Sequence, residues 1–118
     1  MVAHADDLRH FYAEVLGRSE TVAAVTGSAT KVAAPLENGR YLIQFHTLAG
    51  GVAIVWCSQG PHGSVAATKA APSTPMEVDT PPRPTLTVMV RSGLDGLSFI
   101  TDAGTCSVTV TKISRGKN

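Results

Sequence analysis

The sequence predicts an all-β domain, an antiparallel β-sandwich or jelly-roll-like barrel, with a short N-terminal α-helix. Between Thr85 and Ile113, apolar and hydroxyl residues alternate with a period of two, which is typical of half-buried antiparallel strands. The alternating runs are separated by turn residues, at Ser92–Gly96 and Asp102–Gly104. No helical pattern separates the strands that follow Ser19, which argues against a parallel sheet.

Composition narrows the classes of function. The chain has 118 residues, a net charge of +1 and 16% charged residues, with no basic stripe, so we expect one domain and no nucleic-acid partner. No apolar run approaches the roughly 20 residues that span a bilayer, so no membrane partner is expected. The first residues lack the basic and apolar regions of a signal peptide, which predicts synthesis in the cytosol.

The first 18 residues are predicted to form an amphipathic helical arm. Asp6 to Gly17 carries the helical i, i+3, i+4 spacing, with an aspartate to cap its start and a glycine at its end. A helix of about three turns is marginal alone in water, so this one needs an apolar surface on its own sheet or on a neighbouring subunit. Its predicted apolar stripe consists of Leu8, Phe11, Tyr12, Val15 and Leu16.

The same segment, Asp-Asp-Leu-Arg-His-Phe-Tyr-Ala-Glu-Val-Leu-Gly, resembles the first helix of the glyoxalase / vicinal-oxygen-chelate family. That resemblance implies a metalloenzyme built from paired βαβββ modules around a divalent metal. The spacing between Asp-Leu and Phe-Tyr is shorter here than in the family, and the late Asp-Pro-x-Gly-Asn turn of the family is absent. An amphipathic helix is therefore the preferred interpretation, and the metalloenzyme is an alternative.

A β-sandwich domain is predicted over residues 19–118. Its first half contains a predicted hairpin, whose second strand is apolar on both faces and is therefore expected to be central. Trp56 alternates with Ile54 and is expected in the core, although an exposed Trp56 or Tyr41 would suit a sugar-binding platform. The predicted strands in this half are Thr21–Val25, Ala29–Ala33, Arg40–Thr47 and Val52–Ser58.

The second half contains a proline-rich excursion, residues 71–84, which holds five of the seven prolines. Since proline cannot donate to a strand ladder, this segment is predicted to be an edge or a surface connection that could dock on a partner. Pro81–Pro84 could act as a polyproline ligand or as a stiff spacer. A weak strand is predicted at Ser64–Lys69, followed by C-terminal hairpins whose core residues are Leu86, Val88, Val90, Leu97, Phe99, Val108 and Val110.

No set of residues with the spacing of a catalytic or metal site was found, so no catalytic residue, metal ligand or cofactor is predicted. A zinc site from His46, His62 and Cys57 is conceivable, but no spacing supports it. Cys57 lies in an apolar strand, which would raise the pKa of its thiol and make it inert. A bridge between Cys57 and Cys106 is left open.

Across residues 19–113 the overall character resembles small structural proteins of tailed bacteriophages, namely capsid decoration (cement) and head–tail accessory proteins. The resemblance implies a non-enzymatic subunit in the virion that acts by multivalent contact with neighbouring capsid or tail subunits, as a homo-oligomer with a trimer favoured. An Ig-like or carbohydrate-binding adhesive module is the alternative. The candidate partner-binding residues are Leu8, Phe11, Tyr12, Val15, Leu16, Pro75, Met76, Pro81, Pro82 and Pro84.

Overall fold

A computed structural model describes residues 19–91 and 93–114. These residues form eight strands and no helix, in two antiparallel sheets of four strands each, which confirms the all-β prediction. The predicted helix over 6–17 lies outside the described residues. The strands are β1 (Ser19–Val25), β2 (Thr30–Lys31), β3 (Gly39–Ala49), β4 (Ile54–Pro61), β5 (Thr74–Glu77), β6 (Thr85–Val90), β7 (Asp95–Thr101) and β8 (Thr105–Ser114).

The strand pairs are nested along the chain. Sheet A has the order β1-β8-β3-β6 and sheet B the order β2-β7-β4-β5. Strand β1 therefore pairs with β8, β2 with β7, β3 with β6, and β4 with β5. The strands pair as they would in one long hairpin, and successive pairs belong alternately to sheet A and sheet B.

This pairing corrects the predicted hairpins. Strands β3 and β4, predicted to pair across Ala49-Gly50-Gly51, belong to different sheets, and so do β6 and β7, and β7 and β8. Turn residues mark where the chain reverses, but they do not determine whether the two flanking strands pair or pass into opposite sheets. Strand β4 is central in sheet B, as its two apolar faces predicted.

Side chains from both sheets form one hydrophobic core. From sheet A it contains Tyr41, Ile43 and Phe45, which share one face of β3. The predicted core residues Val90, Leu97, Phe99, Val108 and Val110 are buried, whereas Leu86 and Val88 are partly buried and pack against the core. Apolar alternation therefore predicted the inner faces of the C-terminal strands well.

Several predicted strand bounds are corrected. Residues 64–69 are not a strand but part of the loop between β4 and β5, and Ala29–Ala33 contributes only the two-residue β2. The proline-rich segment contains a short edge strand, β5, in which Pro75 pairs opposite Trp56. Proline is tolerated there because one side of an edge strand needs no ladder partner.

Two turns at one end of the molecule are joined by Asp102. Its Oδ1 accepts hydrogen bonds from the backbone N–H groups of Ala53 (3.0 Å) and Ile54 (3.1 Å), at the start of β4. The carbonyl of Asp102 accepts a hydrogen bond from the Thr26 hydroxyl (3.2 Å), in the turn after β1. This aspartate connects the ends of both sheets.

Candidate functional site

The side of the domain that carries β5 and β6 is open. Strand β5 pairs with β4 only from Ile54 to Cys57, although β4 continues to Pro61. Strand β6 pairs with β3 along one side and is the outer strand of sheet A. Because β5 and β6 make few contacts with each other, the gap between the sheets is exposed along this edge. We call this gap, together with the surface of β5 and of the chain that connects β5 to β6, the β5–β6 groove.

The upper half of the groove is a shallow cavity of about 520 Å³, open to solvent. Proline rings form much of its wall. Because proline has no N–H group, these rings present apolar surface without adding unpaired backbone donors. Its lining residues are Pro75, Met76, Glu77, Thr80, Pro81, Pro82 and Pro84.

The lower half of the groove is a cavity of about 140 Å³ that reaches between the two sheets. Ligand pockets for drug-sized molecules usually measure about 300–1,000 Å³, so this cavity suits a single side chain of a partner better than a whole small molecule. Successive residues of β5 line the two cavities: Thr74, opposite Cys57, lines the lower half, and Pro75, opposite Trp56, lines the upper half. Its lining residues are Cys57, Ser58, Gln59, Thr74, Leu86, Val88 and Leu97.

Gln59 joins the two sheets beside the lower half. Its side-chain amide donates to the backbone oxygen of Met89 (3.0 Å), in β6, and to the Asp95 carboxylate (3.2 Å), in β7. This exposed glutamine thereby links β6 of sheet A to β7 of sheet B on the open side. Sequence alternation gave no sign of this role, because the contact depends on two residues that are distant along the chain.

The two cysteines are free and buried. Burial, reinforced by the neighbouring Cys106, raises the pKa of the Cys57 thiol to about 12. Burial also raises the pKa of Cys106, although the backbone N–H of His46 and the charge of Arg83 oppose that effect. The thiolate is the reactive form, so Cys57 is not an activated nucleophile at neutral pH, as predicted from its apolar strand.

The structure does not bring His46, His62 and Cys57 together as a zinc site. His62 contacts the Val32 carbonyl (3.0 Å) through Nε2, His46 is exposed on sheet A, and Cys57 lies in the core. No group of three or more His, Cys, Asp or Glu side chains could hold a metal ion within residues 19–91 and 93–114. His62 instead braces the end of β4, where its backbone also accepts a hydrogen bond from Lys31 (2.7 Å).

The aromatic residues that were considered as a sugar platform are separated. Tyr41 is fully buried, and its hydroxyl donates to the Glu37 carbonyl (2.9 Å). Trp56 is half-buried and lies opposite Pro75 and Ile100, on the face of sheet B that points away from the core. The expectation of a core tryptophan is therefore corrected, because Val55 and Cys57 supply the inward face of β4.

The five predicted contact residues of the proline-rich segment come together. Pro75, Met76, Pro81, Pro82 and Pro84 all line the upper half of the groove. The guanidinium of Arg83, between two of these prolines, donates to the His46 carbonyl and anchors the segment to β3. The other five candidates, Leu8, Phe11, Tyr12, Val15 and Leu16, lie outside the described residues. The lower half was missed, because Leu86 and Val88 alternate like ordinary core residues.

No family model, curated protein or solved structure matches the chain. In the part of the chain that the structure describes, no helix is long and apolar enough to cross a membrane.

Proposed function

We propose that this protein is a non-enzymatic structural subunit of a virus particle, a capsid decoration (cement) or head–tail accessory protein of a tailed bacteriophage. It would reside in the virion and act by repeated contacts with neighbouring capsid or tail subunits. The observation that carries the proposal is the nested pairing of all eight strands. That order, β1-β8-β3-β6 facing β2-β7-β4-β5, is the connectivity of a jelly roll, a fold common in viral capsid and lectin domains.

A fold does not by itself determine function, so the proposal also depends on the groove. Here half-buried apolar side chains, including Met76 and Leu86, line an open edge between two rigid sheets. Exposed apolar surface in a defined groove commonly marks a site of protein–protein contact. The groove therefore supports an adaptor whose rigid body is the two sheets and whose contact surface includes the proline-rich segment.

The small size of the groove suits a multivalent role. A single shallow contact of this kind gives modest affinity, because association must first offset lost translational and rotational freedom. Repetition by symmetry makes each further contact effectively intramolecular and can raise the overall affinity by about 10²–10⁴-fold. A homo-oligomer, with a trimer favoured, would present several grooves to a symmetric shell.

The test is whether the protein is part of a particle. An antibody against the purified chain would be used to probe density-gradient fractions of lysed cultures that express it and produce particles. We expect the chain to band with DNA-filled particles in a constant ratio to the major shell protein. A chain found only in the soluble fractions at the top of the gradient would refute the proposal.

Trp56 gives specific support to a second candidate, a carbohydrate-binding module. It is half-buried on the outer face of sheet B, so part of the indole remains available for stacking on a sugar ring. Titration of a panel of glycans would then change the fluorescence of the single tryptophan, and isothermal titration calorimetry would show that Trp56→Ala no longer binds the same glycan. This candidate would be dismissed if no sugar changed the fluorescence at concentrations that detect a Kd of about 1 mM.

A further inference from the structure

We propose that the β5–β6 groove of one copy binds the apolar stripe of residues 1–18 of a second copy, so that the chains associate head to tail. The inference rests on the proposed function, because both treat the groove as a site of protein contact. It identifies the occupant as a segment of this same chain. Three observations support it: the form of the groove, the distribution of apolar side chains, and the place where β1 begins.

The groove has two cavities, and both are lined in part by apolar side chains. The upper half is wide and lined largely by prolines, while the lower half is a recess of about 140 Å³, the size of one side chain. Met76, Leu86 and Val88 pack against the core on one side and remain partly exposed on the other. A partner that presents several apolar side chains in a row would complete their burial.

Residues 1–18 carry such a row. Five large apolar side chains fall at helical spacing within nine residues, from Leu8 to Leu16. In the described part of the chain, the large hydrophobic residues that are exposed are Leu94 and Ile113, and neither lines the groove. The apolar row therefore lies in one part of the sequence and the apolar recess in another.

The position of β1 separates the C-terminal end of the stripe from the groove of the same copy. Ser19 is opposite Thr111, and β8 and β3 separate β1 from β6. Three strand spacings amount to about 14 Å, before the chain turns around the edge of β6. Leu16 is three residues before Ser19 and can extend at most about 11 Å from it. Leu16 is therefore held away from the groove of its own copy, and insertion of the whole stripe into one groove favours a second copy as its source.

A contact between two different surfaces has a defined consequence for assembly. The contact between a stripe and a groove joins two different surfaces and is therefore heterologous. Such a contact adds further copies until the rotation between neighbouring copies closes a ring. The edges of sheet A are compatible with such a ring, since β1 and β6 are its two edge strands and run in opposite directions. Copies related by rotation about an axis along the strands would place the β1 edge of one copy beside the β6 edge of the next.

The test uses full-length chains with complementary defects. The stripe variant carries Phe11→Asp and Leu16→Asp, and the groove variant carries Pro75→Asp and Thr80→Asp, at two exposed positions in the upper half. A control variant carries Ala66→Asp and Ala70→Asp, which add the same charge at exposed positions of the loop between β4 and β5. Circular dichroism and thermal unfolding verify that each variant folds.

Sedimentation velocity over roughly 1–200 μM, the range for a contact of micromolar affinity, gives the readout. We expect closed oligomers for the wild type and the control variant, and monomers for the stripe and groove variants alone. An equimolar mixture of the latter two should form a 1:1 dimer and nothing larger, because it contains one intact stripe and one intact groove per pair. Leu86→Gln, in the lower half, should weaken the wild-type oligomer as a second groove variant.

A wild type that stays monomeric throughout this range would overturn the inference, and so would a mixture that forms no dimer. Oligomers that persist in the folded stripe variant would also overturn it. These results are separable from the particle test. A monomeric chain that bands with particles keeps the proposed function and removes the inference, whereas a ring that never bands with particles does the reverse.

Discussion

Gly104 lies where the turn after β7 touches the turn after β3. Its φ is +63°, and a Cβ built on it would lie 2.0 Å from the carbonyl oxygen of Ala49. That separation is far inside van der Waals contact, so only a residue without a side chain fits. The sequence identified Gly104 as a turn residue, but the close approach to Ala49 arises only when the two turns meet in three dimensions.

Gly104→Ala should lower the free energy of unfolding by about 3 kcal/mol or more, because a left-handed backbone and a steric clash with backbone atoms act together. Gly51→Ala is the matched control: its φ is +86°, but no atom lies within 4 Å of the added Cβ. It should lose only about 1–2 kcal/mol. Urea unfolding measures both, and equal losses would show that the two turns do not press together.

Asp102 should make stability depend on acid pH. Partial burial, the largest single influence, would raise the pKa of its carboxyl, but hydrogen bonds from the backbone N–H groups of Ala53, Ile54, Ala103 and Asp102 itself together lower it below 3.8. Since the native state binds the proton less readily than the unfolded chain, the stabilisation is complete above the ordinary pKa. It is lost as the pH falls from that value through the lowered native one.

In Asp102→Asn this part of the acid dependence should disappear, and the slope of unfolding free energy against pH below about 4 should be shallower than in the wild type. At neutral pH the variant should lose about 0.5–1 kcal/mol, because a neutral amide accepts weaker hydrogen bonds at this mostly solvated site. Parallel wild-type and variant curves in acid would exclude Asp102 as the titrating group.

Among the elements, the loop between β4 and β5 shows how a strand can be buried on both faces. Strand β7 is buried from Gly96 to Thr101, which includes its outward-facing residues. The loop covers Ser98, whose hydroxyl accepts a hydrogen bond from the Ala67 backbone N–H (3.0 Å). The Lys69 ammonium group, in the same loop, donates a hydrogen bond to the Thr26 hydroxyl (2.8 Å). A polar residue thus sits in a buried strand because a loop supplies its partner.

Ser98→Ala should destabilise the protein by about 1–3 kcal/mol, because it leaves the Ala67 N–H group buried without a partner. The loop should also be cleaved faster in limited proteolysis. Ser58→Ala is the control, since Ser58 lies directly opposite Ser98 on β4 and is only half-buried. It should change stability by less than about 0.5 kcal/mol. If both variants behaved alike, the loop would not depend on Ser98.

The strands themselves show where sequence reasoning succeeded and where it could not. Alternation located most strands to within a few residues and identified the buried residues Val90, Leu97 and Phe99 of the C-terminal strands. It could not assign neighbouring strands to sheets, because every turn signal is compatible with pairing or with passage to the other sheet. It also predicted a strand at Ser64–Lys69, where small residues cover Ser98 instead of pairing.

At the scale of the whole molecule, both sheets depend on one core. Cys57 belongs to sheet B and Cys106 to sheet A, and both are in the same hydrophobic cluster. The upper half of the groove could be foreseen, since the prolines of the excursion were placed on a surface by their chemistry. The lower half could not, because it depends on how far apart the two sheets stand at their open edge.

A thiol reagent should label Cys57 and Cys106 slowly under native conditions, because both side chains are buried, with 4% and 0% of their surface exposed. The raised pKa, about 12 for Cys57, also leaves very little thiolate at neutral pH. Thr74→Cys, at an exposed position in the groove, should react rapidly and serves as the reference. Much faster labelling of Cys57 than of Cys106 would mean that the groove opens independently of the rest of the hydrophobic core.

The nested pairing also dictates when the protein can fold during its synthesis. Strand β8 lies between β1 and β3 in sheet A, yet it is the last of the eight strands to leave the ribosome. Until Thr105–Ser114 has emerged, β1 has no ladder partner and β3 has only β6. Such long-range pairing is slow and leaves strand edges exposed in the meantime. A nascent chain of this protein therefore has to be kept from aggregating until almost all of the domain has been translated.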